Sequence, residues 1–115
     1  MIKLIKKEQA EARKISNTYT VFNMLTKKIS KKVSVALAEG KNHSEITKNI
    51  RSDRIYYVLD GKLTVVQGKK VYVVNPGDII FIEKNIPYHF KGTFKAVLIN
   101  VPAFNQKNER IKVIE

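Results

Sequence analysis

The sequence predicts an all-β fold, either an antiparallel sandwich or a barrel. Between residues 54 and 101, short runs rich in β-branched and aromatic residues are separated by turn signals at nearly even spacing. Gly61 follows Asp60 and Gly68 follows Gln67, and glycine supplies the positive φ that a two-residue hairpin turn needs. Strands this short, at this spacing, are typical of all-β domains.

The first part of the chain has a less regular pattern. Residues 1–5 are compatible with an edge strand, and the helix formers within residues 7–14 favour one short helix or a turn. The assignments that follow, in chain order, are a strand over 19–25, an alternating strand over 32–38, a loop over 40–44 and a weakly patterned segment over 45–49.

The later runs are bounded by clear turn chemistry. Pro76 and Gly77 suit the two central positions of a type II turn, because proline fixes the first φ and glycine accepts the positive second φ. Asp60-Gly61 is expected to set the register of the strands on either side. The continuous apolar run 79–82 predicts a strand covered on both faces. About ten short antiparallel strands result, the later ones over 54–59, 62–66, 70–74, 79–82, 88–90 and a last run ending at Val101.

The composition is that of one small globular domain, predicted to span residues 1–115. The chain has no cysteine, which removes disulfides, thiolate nucleophiles and cysteine-based metal sites. The N-terminal apolar run is too short for a signal peptide, and no stretch is long and apolar enough to span a bilayer. We therefore expect a cytoplasmic protein without a membrane partner.

The net charge of +12 raises the question of nucleic acid, which a concentrated basic face would attract. The 22 cations are 18 Lys and 4 Arg, and they are scattered through predicted turns and strands. Arginine is the residue suited to bidentate recognition, and no recognition helix or ribonucleoprotein-type stacking motif is present. Nucleic acid is therefore not the expected partner. If a polyanion is bound, the pairs Lys27-Lys28 and Lys31-Lys32 form the best local patch.

Two segments resemble the conserved motifs of the cupin family. Residues 53–61 (Asp-Arg-Ile-Tyr-Tyr-Val-Leu-Asp-Gly) are similar to the end of the first motif. Residues 75–82 (Asn-Pro-Gly-Asp-Ile-Ile-Phe-Ile), followed by 85–90 (Asn-Ile-Pro-Tyr-His-Phe), are similar to the second, and 101–105 resembles the family's usual ending. The resemblance, over about residues 45–102, implies a double-stranded β-helix, the cupin jelly-roll barrel. It also implies a pocket at one mouth of the barrel and, commonly, a homodimer.

The resemblance also shows which positions should hold a metal. Metal-dependent cupins use two histidines and a glutamate from the first motif and one histidine from the second. In this sequence the ligand positions hold Thr47 or Lys48, Asn49 or Ile50, Arg54, and Tyr88. The guanidinium of Arg54 cannot be deprotonated and repels a cation, so the usual site is absent and no cofactor is expected.

The chain has two histidines, and each allows more than one interpretation. His89 is either the motif histidine displaced by one residue, facing the pocket as a base, or a strand residue facing solvent or the neighbouring sheet. His43 lies in the predicted 40–44 loop and is expected at the surface. A three-ligand metal site made of both histidines and Glu45 has no support in their spacing.

Strand alternation predicts a pocket lining, because side chains two residues apart share a face. A buried Arg54 needs a counter-charge, and a carboxylate or phosphate on a ligand would provide it bidentately. The alternative is an internal ion pair between Arg54 and Asp53, Glu83 or Asp78. For Tyr56, as for Tyr57 and Tyr72, packing is the alternative role. The predicted ligand-binding residues are Thr47, Asn49, Arg54, Tyr56, Tyr88 and Phe90.

Three classes of function fit these observations. The first is a metal-free cupin that binds a small anionic or sugar-like molecule, or acts as a dimeric interaction module, without catalysis. The second, by analogy within the family, is a metal-independent sugar or nucleotide-sugar isomerase or epimerase, with His89 as base, Tyr88 as acid and Arg54 as phosphate anchor. The third is polyanion binding by the lysine-rich surface.

Overall fold

The structure is a computed structural model that describes residues 1–114. The predicted all-β fold is confirmed: every strand pairing is antiparallel, and the other regular elements are two 3-10 turns, Lys7–Gln9 and Gln106–Asn108. The eight strands are β1 (Glu11–Ser16), β2 (Tyr19–Leu25), β3 (Ser34–Asn49), β4 (Asp53–Gln67), β5 (Lys70–Val74), β6 (Ile79–Ile82), β7 (Tyr88–Val101) and β8 (Glu109–Val113).

Three long strands, β3, β4 and β7, carry the whole sheet. The main order is β1-β2-β3-β7-β4-β5, with β6 paired to β4 and β8 paired to β3. β2 pairs with the first half of β3 and β8 with its second half; likewise β6 pairs with the first half of β4 and β5 with its second half. The sheet therefore folds over itself, and the two halves enclose the interior in which the site lies.

The long strands bend at irregular positions in their pairing. The β3–β7 register shifts between Gly40 and His43, and the β4–β7 register shifts between Val58 and Asp60. Gly61 has a φ of +77°, and a Cβ placed there would collide with the Thr93 carbonyl oxygen. The bulge in β4 is at Leu59, between Val58 and Asp60, and Gly61 continues the pairing with β7 directly after it. The predicted hairpin turn at Asp60-Gly61 is therefore wrong. Because such bends join short strands that the sequence pattern predicts as separate, the structure has eight strands where about ten were predicted.

Several local predictions are confirmed. β2 occupies residues 19–25, and Gly68 turns the β4–β5 hairpin with a φ of +58°. Gly77 has a φ of +92°, and the Asp78 amide donates to the Asn75 carbonyl at 2.9 Å, as the proposed turn requires. Turns with glycine at an enforced positive φ were predictable because the constraint is local.

Other local predictions are wrong or only partly right. Residues 1–5 form no strand. The short helix or turn expected within 7–14 is present as the 3-10 turn Lys7–Gln9, but β1 already begins at Glu11. Residues 40–44 belong to β3, because pairing with β7 on both sides of the bulge keeps this segment extended.

The core lies between the two halves of the sheet and combines aliphatic side chains with buried tyrosines and phenylalanines. In β6, Ile82 is the residue that is fully buried against the core, whereas Ile79 is 64% and Phe81 is 56% exposed. The expectation that both faces of β6 are covered is therefore wrong for the single chain. None of the helical turns within residues 1–114 has the length and apolar character needed to cross a membrane.

Candidate functional site

Arg54 lies at the centre of a buried polar network between the two halves of the sheet. Its side chain is 3% exposed. Nε donates to Asn100 Oδ1 at 2.8 Å, and Nη1 donates to the Tyr88 hydroxyl at 3.1 Å. Nη1 and Nη2 also donate to the two carboxylate oxygens of Glu109 at 3.0 and 2.9 Å. Although burial opposes its charge, Tyr88, Tyr56 and Glu109 raise the pKa of Arg54 well above its ordinary value.

Glu109 on β8 is the counter-charge of Arg54, and the sequence analysis missed it. The same carboxylate accepts hydrogen bonds from Thr47 Oγ1 at 3.2 Å and Asn49 Nδ2 at 3.0 Å. An internal ion pair was one of the two predictions for Arg54, but none of the three proposed carboxylates takes part. Asp53 instead accepts from the Lys84 amide, and Asp78 accepts from the Asn75 amide.

The two buried tyrosines extend this network toward the middle of the barrel. The hydroxyls of Tyr56 and Tyr88 are 2.7 Å apart and hydrogen-bonded. Burial raises the pKa of both phenols above the ordinary value of 10, while Arg54 opposes this shift. Both side chains therefore stay protonated at neutral pH and can donate a proton or a hydrogen bond. Tyr56 is thus part of the network as well as of the packing.

A second polar group, the pair His43 and Glu45, lies on the inner face of the second half of β3. His43 Nε2 and Glu45 Oε1 are 2.9 Å apart, and each residue is 1% exposed. Thr18 Oγ1 lies 2.7 Å from His43 Nδ1, and the Tyr19 ring stacks on the imidazole with centroids 4.5 Å apart. The expectation that His43 is a surface residue is wrong, because the bulge after Gly40 keeps it on the inward face of β3. A buried imidazole held by a carboxylate is a typical acid–base group.

His89 lies on the opposite face of β7 from Tyr88 and Phe90. Its Nε2 is hydrogen-bonded to Ser44 Oγ on the outer face of the sheet, and burial together with Lys91 lowers its pKa. Phe90 faces inward and lies among several aromatic rings. Of the two interpretations of His89, the structure therefore matches the outward-facing one. The isomerase scheme loses its proposed base, since His89 and Tyr88 cannot face one ligand.

All six predicted ligand-binding residues face the interior, and the structure brings them into one region. Five of them, all except Phe90, belong to the hydrogen-bond network around Arg54 and Glu109. Phe90 supplies the apolar floor between this network and His43. The six are Thr47, Asn49, Arg54, Tyr56, Tyr88 and Phe90.

A cavity of about 230 Å³ opens beside the polar network. Its wall includes Leu98 and Asn100, the register partners of Tyr56 and Arg54. It also includes Arg13, whose Nε is buried without a hydrogen-bond partner among residues 1–114. The guanidinium carbon of Arg13 lies 4.5 Å from the centre of the Phe104 ring. Arg13 was missed because nothing in the sequence near it marks a functional position.

Burial lowers the pKa of Arg13, and Glu109 and, more weakly, Glu45 oppose that shift. Arg13 therefore brings a positive charge to the wall of the cavity.

The residues at the family's metal positions do not fit a divalent cation. Arg54 occupies the carboxylate position and carries a positive charge, while Thr47, Asn49 and Tyr88 are neutral oxygen or amide groups that bond to Arg54 or Glu109. Within residues 1–114, no three or more His, Asp or Glu side chains are grouped closely enough to hold a metal. The donor set suits a hydrogen-bonding site better than a metal centre.

Comparison with known proteins places the chain among cupins. The Cupin_2 family, described as a cupin domain, matches residues 33–102, which is more than half of the chain. No curated protein sequence matches significantly.

Several solved structures share the fold. Streptomyces PAC13, in a variant with uridine, is 20% identical over 100% of this chain and 95% of its own, with a TM-score of 0.85. With another solved structure of Pac13, the protein is described as a nucleoside dehydratase. KdgF from Halomonas sp. is 10% identical over 93% of this chain and 99% of its own, with a TM-score of 0.77. Ectoine synthase from P. lautus is 13% identical over 87% and 80%, with a TM-score of 0.75. These identities establish the fold alone.

Proposed function

Because this chain belongs to the Cupin_2 family of cupin domains, we propose that it is an acid–base enzyme acting on a small polyhydroxylated molecule of the nucleoside class. The proposed ligand site is the cavity whose wall includes Arg13 and Asn100. Asn100 connects this wall to the polar network, because its Oδ1 accepts from Arg54 Nε at 2.8 Å. The reaction we infer is the removal of water from the sugar part of the ligand. Pac13, which shares the fold, is described as a nucleoside dehydratase, and a structure of one of its variants is described as being with uridine.

The buried His43–Glu45 pair carries this proposal. Burying a polar pair this deeply in a small barrel is costly unless its partners satisfy it, and Thr18, Glu45 and the Tyr19 ring hold the imidazole in one orientation. In the proposed reaction the pair accepts a proton from a carbon of the ligand. The protonated phenol of Tyr88 or Tyr56 gives a proton to the departing hydroxyl, which leaves as water. A later proton transfer from the pair to the phenolate restores both groups.

The experiment compares inward-facing residues with matched residues on the outer face. Nucleosides, with uridine first, are titrated into the protein by NMR or calorimetry, and products are examined by mass spectrometry for loss of one water. His43→Gln and Tyr88→Phe should each lower turnover by about 100-fold or more, as expected for loss of a general base or acid. The controls His89→Gln and Tyr57→Phe alter the other histidine and a tyrosine on the outer face, and should leave turnover unchanged.

The outcomes separate catalysis from binding. Saturable nucleoside binding that His43→Gln weakens, without turnover of any nucleoside tested, would refute the enzyme and leave a metal-free binding module. Equal effects of His43→Gln and His89→Gln would show that the interior pair has no special role.

We also propose that the protein is a homodimer. The outer face of β4 and β6 carries an apolar cluster, in which Tyr57 pairs with Ile79 and Ile55 pairs with Phe81. Ile79 and Phe81 are more than half exposed in the single chain, and two copies can cover this face. Light scattering after size exclusion should give twice the chain mass, and Phe81→Lys should give the monomer. Leu4→Lys, at another exposed apolar residue, should not change the mass.

A further inference from the structure

A groove at one end of the barrel carries a concentrated positive charge. We call it the basic groove; it has a volume of about 550 Å³. No Asp or Glu lies among its lining residues, and none of its cations takes part in an ion pair within residues 1–114. Its cationic residues are Lys27, Lys28, Lys31, Arg51 and Lys107.

Three separate connections bring these cations together. The lysines at 27, 28 and 31 come from the β2–β3 connection, Arg51 from the β3–β4 turn, and Lys107 from the 3-10 turn before β8. Backbone hydrogen bonds hold the connections: Ala103 N donates to the Lys31 carbonyl at 3.1 Å, and Ile50 N donates to the Asn108 carbonyl at 3.0 Å. The groove is thus built by tertiary contacts and not by a run of charge along one strand.

The basic groove adjoins the cavity beside Arg13. Lys27, Lys28 and Asn105 line both. The cavity, at about 230 Å³, is below the range of roughly 300–1,000 Å³ usual for small-molecule sites, so it accommodates only part of a ligand. The remainder of the ligand lies in the groove, where unpaired cations favour a phosphate group.

We infer that the ligand is a phosphorylated nucleoside, with its phosphate in the basic groove and its sugar directed into the cavity. This inference rests on the proposed function, because it names the substrate class of the same site. The five cations converge on one concave surface that adjoins the cavity, which suits a small phosphate ester better than a long polymer. Arg54 is not the phosphate anchor, since Glu109 already pairs with it bidentately.

The test measures the affinity of the whole chain for three probes at low salt by calorimetry: uridine, uridine 5′-monophosphate and pyrophosphate. Uridine 5′-monophosphate should bind at least tenfold more tightly than uridine. The double variant Lys31→Gln, Lys107→Gln alters cations that line the groove but not the cavity, so it should remove that advantage and leave uridine affinity unchanged. Lys69→Gln with Lys70→Gln, at the β4–β5 hairpin, removes the same charge elsewhere and should have no effect.

Equal affinities for uridine and its monophosphate would overturn the inference while leaving the proposed function intact. If pyrophosphate binds and depends on Lys31 and Lys107, but neither uridine nor its monophosphate binds, the groove is a phosphate site, and both the proposed function and the inferred nucleoside ligand are overturned. Retention on heparin that the groove variant abolishes, with no preference for the monophosphate, would overturn the inference in favour of a polyanionic polymer.

Discussion

Replacing Glu109 by glutamine should strongly destabilise the fold, because it removes the carboxylate that pairs with buried Arg54. The substitution keeps the volume of the side chain and an oxygen that can accept from Thr47 or Asn49. It leaves a guanidinium that is 3% exposed without a counter-charge. Arg13 adds to the effect. Burial and, more weakly, the charge of Arg54 lower the pKa of Arg13, whereas the charge of Glu109 raises it, so the substitution removes a stabilising charge from both arginines.

The expected cost follows from the burial of the pair. Breaking a buried ion pair by removing one partner costs about 3–5 kcal/mol. For 115 residues, an unfolding entropy of about 2.1 cal/mol/K per residue gives roughly 0.24 kcal/mol/K, so the melting temperature should fall by about 12–20 °C. Glu39→Gln is the matched control, because its pairing with Lys95 at 3.8 Å is largely exposed and should contribute less than about 1 kcal/mol.

The assay is urea unfolding followed by circular dichroism, with a double-mutant cycle on Arg54→Met and Glu109→Gln. Because the double variant has no unpaired buried charge, its loss of stability should be smaller than the sum of the single losses by about 2 kcal/mol. A loss below about 1 kcal/mol for Glu109→Gln, or additive losses in the cycle, would refute the structural role assigned to the pair.

Two further predictions concern pH and the strand bends. Burial raises the pKa of three tyrosines above their ordinary value of 10: Tyr19, Tyr56 and Tyr88. Their protonated forms stabilise the native state, so the free energy of unfolding should be unaffected by them below pH 10. Above pH 10 the free energy of unfolding should fall by up to about 4 kcal/mol per pH unit, which is about 1.4 kcal/mol for each tyrosine. Urea titrations that show no change in stability above pH 10 would contradict this. Gly61→Ala should lower the free energy of unfolding by more than about 2 kcal/mol, because φ is +77° and a Cβ would meet the Thr93 carbonyl. Gly68→Ala is the control: no atom lies near its Cβ position, and it should cost about 1 kcal/mol. Equal costs for the two variants in denaturant unfolding would contradict the strain assigned to the bend in β4.

Much of the fold was predictable because its constraints are local. The turn at Pro76-Gly77 and the hairpin at Gly68 depend on φ values that only a few residues accept, so these residues mark their turns in the sequence. Gly61 also has a positive φ but lies inside β4, just after the bulge at Leu59. A glycine with positive φ shows that the chain bends, and pairing with β7 decides whether the strand ends there.

The candidate site was predictable in part for a similar reason. Alternation along β3, β4 and β7 placed Thr47, Arg54 and Tyr88 on inward faces, and the structure has them there. The same rule failed for His43, since the bulge between Gly40 and His43 lies in a segment predicted as a loop. A rule of alternation holds only within an unbroken strand.

Local chemistry in the sequence was thus enough to predict an all-β antiparallel fold, its sharpest turns and the inward position of Arg54, and the resemblance to cupins added the barrel. Only the tertiary structure decided that Arg54 pairs with Glu109, 55 residues away along the chain, and that His43 is buried against Glu45. It also decided that lysines from separate connections form one groove. Turn and strand preferences depend on neighbouring residues, whereas ion pairing and charge convergence depend on which distant strands the fold brings within a few ångströms.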